Sequence, residues 1–186
     1  MHIEDKVFDF LTKKDNFQSA FEIHQKFPQI KDKLIVEFWM RVGEEIKPLI
    51  DNAKWEFELD ESNILHKYSG LYINITDIMG VGFGQLAGGT DYGIWIDDND
   101  ETLNRERILE YVRTLQGLEE WNQSDIWPAY KLLNHDFSEI RTLVEIIPEN
   151  RDGENGTVKE FAKTLFDFAK QYEKEIRKMS KMTKTK

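Results

Sequence analysis

A group of acidic residues is the first candidate for chemistry in this chain. Five of them lie close together in the sequence: Asp91, Asp97, Asp98, Asp100 and Glu101. Carboxylates are good ligands for hard cations, but a calcium loop of the EF-hand type also needs a central glycine and a terminal glutamate. The run DDNDETLNRERI has no central glycine. Acidic residues also favour the first turn of a helix because they complement its dipole, so we interpret this run as a helix start rather than a metal site.

The histidines and one Glu-x-Lys triplet give weaker patterns. None of the four histidines has the i, i+4 spacing of a helical zinc pair. Glu45-Ile46-Lys47 fits a triplet of metal-dependent nucleases, in which a carboxylate holds the metal and the lysine positions water. It falls in a predicted helix, whereas such triplets lie on strands. No nucleophile-elbow pattern accompanies a Ser, His and Asp set. We therefore predict no catalytic residue, no metal ligand and no cofactor.

A glycine-rich run, GVGFGQLAGG, lies in the middle of the chain between Gly80 and Gly89. Such runs cradle phosphates when they join a strand to the N-terminus of a helix. Here the run leads into a second strand-like segment, YGIWID, and no lysine follows the glycines. We therefore predict a bulged hairpin instead of a phosphate loop.

Aromatic residues form the remaining candidate site. Tyrosine and tryptophan are frequent anchors of protein interfaces, and we predict five of them as binding residues: Tyr72, Tyr92, Trp121, Trp127 and Tyr130. The first two lie in predicted strands, and the others lie in the polar segment 118–135, which we interpret as a loop or a short helix. The alternative is that the aromatic side chains of this segment only cover the sheet.

Helices are predicted at both ends of the chain. Apolar spacing indicates a helix over 3–12, a second helix that begins near Asp15 and ends at Pro28, and a third from Lys31 that Pro48 kinks or ends. Asn99 or Asp100 is predicted to cap a further helix that Gly117 ends, and the segment 137–147 reads as either a helix or a buried strand. A capping box, Thr157 to Glu160, is predicted to begin the last helix.

Four strands are predicted between these helices, in the segments WEFEL, LYINI, VGFGQL and YGIWID. Their connections are too short for parallel crossovers, so the order should be antiparallel. The chain is therefore predicted to be an α+β protein: N-terminal helices, a central antiparallel sheet of about four strands, and C-terminal helices packed on one face. We expect a single domain over residues 1–178 and a basic, frayed tail over 179–186.

The charge of the chain is acidic and unevenly placed. The net charge is −10, but residues 174–186 hold six basic residues and one acidic residue, so the other residues carry 19 basic and 34 acidic side chains, a net charge of −15. Nucleic-acid binding depends on Lys and Arg that neutralise phosphates. We therefore expect no direct binding of nucleic acid by this acidic body.

The absence of cysteine and of long apolar runs limits the cellular compartments in which we expect the protein. A chain without cysteine has no disulfide and no thiolate chemistry, which suits a reducing compartment. No apolar run approaches the roughly 20 residues that a membrane span requires, and the first residues, MHIEDKVFDF, do not resemble a signal peptide. We expect a soluble, cytoplasmic protein without membrane contact. The sequence does not predict an oligomeric state.

The order of these segments resembles a known family. A helix with the Phe-Trp pair of KDKLIVEFWMRVGEEIKPLI is followed by the strands of KYSGLYINI and DYGIWID, then by Trp127-Pro128-Ala129-Tyr130 and a closing amphipathic helix. This pattern, over roughly residues 30–178, resembles the C-terminal region of bacterial PD-(D/E)XK nuclease superfamily proteins. The nuclease core of that family is missing, and no strand carries its Asp and Asp/Glu-x-Lys set. The resemblance therefore implies an accessory or recognition domain of bacterial or phage conflict systems, and it does not imply cleavage.

We consider three hypotheses for function. The first is a non-enzymatic module of bacterial or phage origin that recognises a protein partner through the aromatic residues. The second is an acidic inhibitor that mimics nucleic acid and blocks a DNA- or RNA-binding enzyme. The third is a metal-dependent enzyme related to nucleases, which depends on the acidic group and the resemblance alone.

Overall fold

The protein consists of two compact units. The structure, a computed structural model, describes residues 3–51 and 53–184. Unit 1 covers Met1–Leu34 and unit 2 covers Ile35–Lys186; we call them the arm and the body. The single domain over 1–178 stays a prediction; between Glu4 and Leu34 no residue is buried.

The described part of the arm is helical except at Thr12 and Lys13. Helix α1 covers Ile3–Leu11, as predicted, and helix α2 begins at Lys14 and runs to Ile50 in the body. The prediction that Pro28 ends a separate helix is therefore wrong. A proline in a helix frees the carbonyl four residues earlier, here that of His24. His24 is exposed, so water can solvate the freed carbonyl and the helix continues.

The body contains an antiparallel sheet of five strands, which confirms the predicted α+β class. The strands are β1 Glu56–Leu59, β2 Gly70–Thr76, β3 Met79–Gly84, β4 Gly89–Ile96 and β5 Ala129–Asp136, and they lie side by side in chain order. The first four match the predicted strands. The fifth falls in the segment predicted as a loop or a short helix. It was missed because AYKLLNHD has apolar residues at both odd and even positions, so it lacks the alternation of apolar and polar residues that indicates a strand.

Four further helices belong to the described part of the body: α3 Arg105–Val112, α4 Ile140–Glu145, α5 Pro148–Arg151 and α6 Thr157–Met179. Helix α4 resolves the ambiguous segment 137–147 in favour of a helix. The cap of α3 is Asn104, whose side chain accepts from the Arg107 amide, so the prediction of Asn99 or Asp100 is wrong. The capping box is wrong as well: Gly156 is the cap of α6, and the Thr157 hydroxyl donates to the Glu145 carbonyl.

Helix α6 and the body part of α2 pack on one face of the sheet, which we call the inner face. Trp39 of α2 lies at the centre of this core, with no exposed surface. Its ring centroid is 5.4 Å from that of Phe83 in β3 and 5.6 Å from that of Phe161 in α6. Its indole N–H donates to the Leu86 carbonyl over 2.7 Å. The predicted apolar stripe of α6 is buried along its length.

The C-terminal segment differs from the predicted frayed tail. Met182 is 8% exposed, Thr183 forms a β-bridge with Leu103, and the Lys184 amide donates to the Thr102 carbonyl. Residues 182–184 therefore pair with the loop before α3. Residues 185 and 186 of the predicted tail lie outside the described residues.

Candidate functional site

The candidate site lies on the sheet face opposite α6, which we call the outer face. Side chains alternate between the two faces of a strand. Tyr72 in β2 stands opposite Gly82 in β3, and Tyr130 in β5 stands opposite Gly93 in β4. Phe83 and Tyr92 have the other parity and contact Phe161 and Phe168 of α6. The parity of each residue therefore decides whether it faces the core or the outer face.

Glycines form the floor of the outer face. Alternate residues of β3, namely Gly80, Gly82 and Gly84, all point to it. A Cβ at Gly82 would be 2.4 Å from the Tyr72 ring, and a Cβ at Gly84 would be 3.1 Å from the Trp127 ring. The aromatic rings can lie against the backbone of β3 only because these side chains are missing. The predicted bulged hairpin explained only the turn of this run; its glycines also make room for aromatic rings.

Three of the five predicted binding residues meet at this floor. A cavity of about 610 Å³ is lined by Tyr72, Trp127 and Tyr130, with Tyr68 at its edge. The ring centroids of Tyr72 and Trp127 are 6.2 Å apart with a 35° angle between the planes. Trp95 extends the aromatic surface, since its ring is 5.0 Å from that of Tyr72. The segment Trp127–Tyr130 is brought there by strand β5.

The other two predicted binding residues lie on the inner face. The Tyr92 ring is 5.2 Å from that of Trp121 and 5.4 Å from that of Phe168. Trp121 stacks on Phe168 with an angle of 2° between the planes. Tyr92 stands opposite Phe83, so it shares the core parity. The structure therefore separates Tyr92 and Trp121 from the cavity that holds the other three, and the alternative that Trp121 covers the sheet matches its position.

Asp91 supplies the one acidic side chain that lines this cavity among the described residues. It is 8% exposed, and its Oδ2 accepts from the Gln85 side-chain amide over 2.9 Å. Its Oδ1 is buried and has no hydrogen-bond partner within the described part of the chain. Burial raises the pKa of this carboxyl, and the Gln85 hydrogen bond opposes the increase. A buried carboxylate without an opposite charge is costly, so a positive group in the cavity would be favoured.

Tyr72 remains a hydrogen-bond donor at neutral pH. Burial and the Glu58 carboxylate both raise the pKa of its hydroxyl. Glu58 stands opposite Tyr72 in the sheet and accepts from the Asn74 amide over 3.2 Å. A second cavity, of about 450 Å³, shares Tyr68 and Tyr72 and is lined by Glu58 and Asp60. The outer face therefore combines aromatic rings with carboxylates.

Sequence reasoning missed Asp91, Tyr68 and Gln85 as parts of this site. The signal for Asp91 was present: alternation in DYGIWID places it with Trp95, on the face opposite Tyr92. We instead grouped it with the acidic residues after β4. Asp97 follows Asp91 by six residue steps of extended chain, a distance of roughly 20 Å, so the group is divided in the structure.

The acidic residues after β4 organise their own loop. Asp97 accepts from the Asn99 amide, and Asp100 accepts from the Thr102 amide and hydroxyl. The Arg105 guanidinium donates to the carbonyls of Asp97, Asp98 and Asp100. Within residues 3–51 and 53–184, no group of three or more His, Asp or Glu side chains has the arrangement of a metal site.

The histidines and the Glu-x-Lys triplet are dispersed. His135 pairs with Glu145 over 3.2 Å, His66 accepts from the Tyr68 amide over 3.3 Å, and His24 is exposed in the arm. His2 lies outside the described residues. Glu45 and Lys47 are exposed on α2, where they flank the buried Ile46. These positions match helix, capping and surface roles.

Comparison of the chain with protein-family models, curated proteins and solved structures yields no significant match. Among the described residues, no helix combines the length and the apolar character needed to cross a bilayer. The fold and the geometry of the outer face are therefore the basis for any functional conclusion.

Proposed function

We propose that the protein is a non-enzymatic recognition module that binds a protein partner on the outer face of its sheet. One observation carries this proposal: Tyr72, Trp127 and Tyr130 converge from two strands and a loop on one cavity of about 610 Å³. Tyrosine and tryptophan combine a large apolar area with a polar tip, and they are enriched among the residues that dominate binding energy.

Unsatisfied polar atoms beside the rings support the same use. The indole nitrogen of Trp95 and the amide oxygen of Asn74 are buried without a hydrogen-bond partner in the described part of the chain. Both residues belong to the outer face, beside Gly80. Buried polar groups are nearly always paired in folded proteins, so these two atoms leave hydrogen-bonding capacity unused beside the aromatic rings.

The resemblance to the C-terminal region of PD-(D/E)XK nuclease superfamily proteins agrees with a recognition role. The Phe-Trp pair is buried under the sheet as Phe38 and Trp39, whereas Trp127 and Tyr130 line the cavity. We extend the proposal to a bacterial or phage origin and a cytoplasmic location, which rest on that resemblance and on the absence of cysteine.

An acidic mimic of nucleic acid is the second candidate. Glu56 and Glu58 of β1 occupy the outer-face parity and both are exposed, and Asp60 follows them beside the second cavity. A row of carboxylates of this kind favours a basic partner surface. Such binding would weaken steeply with salt because exposed charges are screened over about 10 Å at 0.1 M.

Pull-down from a bacterial lysate at low and high salt tests both candidates. We expect a captured protein that survives high salt, that is lost with Trp127→Ala or Tyr130→Ala, and that is kept with Ile140→Ala, an exposed apolar side chain of α4. A basic nucleic-acid enzyme released by salt would favour the mimic. Capture that Trp127→Ala and Tyr130→Ala leave unchanged would contradict recognition through this face.

A further inference from the structure

The cavity of the outer face has the composition of a site for a positively charged group. Its walls are the rings of Tyr68, Tyr72, Trp127 and Tyr130, and Asp91 is its buried acidic residue. The faces of aromatic rings carry partial negative charge and attract cations within about 6 Å. The aromatic rings and the carboxylate around this cavity therefore both favour a positively charged ligand.

The cavity offers little positive charge of its own. Among the described strand positions on the outer face there is no lysine or arginine. Among the residues that the structure describes, Lys67 is the single basic side chain that lines the cavity. It is exposed, and its Nζ is 5.2 Å from the centroid of the Tyr68 ring. Its repulsion of an incoming cation is screened by water, whereas the Asp91 charge acts from a buried position.

We propose that this cavity binds the guanidinium group of an arginine side chain of the partner. The inference rests on the proposed function and names the chemistry that the same face recognises. A guanidinium is planar, stacks on aromatic faces, and is more weakly hydrated than an ammonium. The rings of Tyr72 and Trp127 lie against the floor at Gly82 and Gly84, so they leave broad faces for a planar cation. Asp91, which stands opposite Gly84 in the sheet and lines the same cavity, supplies the opposite charge.

Titration with single amino-acid derivatives tests the charge requirement. The probes are N-acetylarginine methylamide, its uncharged isostere N-acetylcitrulline methylamide, and N-acetyllysine methylamide. The tryptophan indole N–H resonances of ¹⁵N-labelled full-length protein report binding, and Trp127→Phe assigns the Trp127 signal. We expect the arginine probe to bind roughly tenfold more tightly than the citrulline probe, the factor that about 1.4 kcal/mol of cation attraction gives. Equal affinities, or no shift of the Trp127 signal at millimolar probe, would overturn the proposal.

Matched variants test whether the Asp91 carboxylate attracts the arginine probe. Asp91→Asn keeps the shape of the side chain and should lower arginine affinity roughly tenfold, while Asp98→Asn, an exposed aspartate of the loop after β4, should not change it. Lys67→Gln should raise the affinity slightly. An unchanged affinity in Asp91→Asn contradicts the role of the carboxylate. If arginine binds as expected but partner capture is insensitive to Trp127→Ala, the cation site stands and the proposed function fails.

The arm carries an independent observation. No residue from Glu4 to Leu34 is buried. Eight of its large apolar side chains are between 42% and 67% exposed: Val7, Phe8, Phe10, Phe17, Phe21, Ile23, Phe27 and Ile30. An exposed apolar surface of this extent marks an interaction site.

The pattern along α2 shows how a second copy could cover this surface. Ala20, Ile23, Phe27, Ile30 and Leu34 follow one another in alternating steps of three and four residues, the spacing of a coiled-coil seam. An open groove of about 450 Å³ runs beside Ile23 and Phe27. At roughly 100 Å² each, scaled from the ~150–250 Å² of a buried aromatic side chain, Ile23, Phe27 and Ile30 supply about 300 Å² per copy along this seam. The other five exposed side chains of the arm would have to contribute the remainder of the roughly 800 Å² per copy of a standard interface.

We infer that two copies of the chain associate through their arms. The charge of the arm permits this, because residues 1–34 hold six acidic and six basic side chains, whereas residues 35–186 hold 29 acidic and 19 basic ones. Two neutral arms do not repel each other, and their lysines and acidic residues can pair across the seam. Two acidic bodies, by contrast, repel.

Sedimentation equilibrium of the full chain tests this inference. We expect a dimer, and a monomer for the double variant Ile23→Asp with Phe27→Asp. Ile140→Asp places the same charge on an exposed apolar position of the body and should leave the dimer intact. Monomeric wild-type protein at 100 μM, a concentration on the order of those that populate weak dimers, would overturn the inference, as would a dimer that survives the double variant.

Discussion

The arm and the body have nearly the same apolar content, yet only the body has a core. In the arm, 13 of 34 residues are of the apolar classes that make up 40% of the whole chain. Trp39 in the body part of α2 has no exposed surface, whereas Phe21 in the arm is 55% exposed. The difference arises because a sheet and a second helix lie against α2 from Ile35 onward. Apolar composition therefore does not predict burial; long-range contacts decide it.

The largest effect should come from the centre of the body. Trp39→Ala removes a ring that contacts Phe83 and Phe161 and leaves the Leu86 carbonyl without its donor. We expect a loss of about 4 kcal/mol in the free energy of unfolding, measured by urea titration with far-UV circular dichroism. Trp39→Phe, which keeps most of the ring volume, should cost less. A loss below about 1 kcal/mol would show that this core is not what holds the body together.

A smaller effect should come from the floor of the outer face. A Cβ at Gly82 would be 2.4 Å from the Tyr72 ring and 2.8 Å from the Leu71 carbonyl. Gly82→Ala should therefore cost about 1–3 kcal/mol and displace Tyr72, which would weaken partner capture. Gly88→Ala is the matched control, since nothing lies within 4 Å of its added Cβ, and it should change stability by less than about 0.5 kcal/mol. Equal effects of the two variants would contradict the close approach of ring and backbone.

Asp91 should make the stability of the body depend on pH. Because burial raises its pKa in the folded state, the folded protein binds more protons than the unfolded chain between the two pKa values, and stability falls as pH rises through that window. Asp91→Asn removes this cost. We expect its melting temperature to exceed that of the wild type at pH 7, with the difference shrinking below the ordinary pKa of 3.8. A variant less stable than wild type at pH 7 would indicate that the carboxylate is compensated.

The smallest effect should come from the arm. All five tryptophans lie in the body, so their fluorescence follows the unfolding of the body alone. Phe21→Ala should leave that transition within about 0.5 kcal/mol, because its ring is exposed. Phe161→Ala, the same change at a side chain that is 3% exposed, should cost about 3–5 kcal/mol. A comparable loss for both variants would break the distinction between arm and body.

The sequence predicted those parts of the fold whose pattern is local. Alternation in WEFEL, LYINI and YGIWID located three strands, and the stripe of α6 located the last helix. Strand β5 was missed because its pairing with β4, whose partner residues lie 35 to 47 positions earlier, selects a strand that the local pattern does not favour. The cap of α6 was missed because Thr157 bonds to the distant Glu145 carbonyl rather than to its own helix.

The candidate site was predictable only in its residue types. Trp127 and Tyr130 were predicted as aromatic residues of a polar segment and Tyr72 as an exposed aromatic residue of a strand, and the sheet brings the three together. Tyr92 was chosen on the same ground, but the register that pairs it with Phe83 turns it to the core. Register depends on the neighbouring strand, so an isolated strand does not reveal which of its faces is covered by helices.

The glycines of β3 give the outer face an asymmetric response to mutation. The rings of Tyr72, Trp95 and Trp127 lie against this strand because Gly80, Gly82 and Gly84 lack side chains, and glycine is already the smallest residue. Every substitution at these positions adds atoms, so it can push the aromatic rings away from the backbone but cannot bring them closer. Substitutions that enlarge or reshape the cavity must therefore occur at its rim, at Tyr68, Gln85 or Leu132, where a smaller or a larger side chain can replace the present one. Substitutions that change the binding preference would therefore be found at these rim positions, while the three glycines of the floor stay the same.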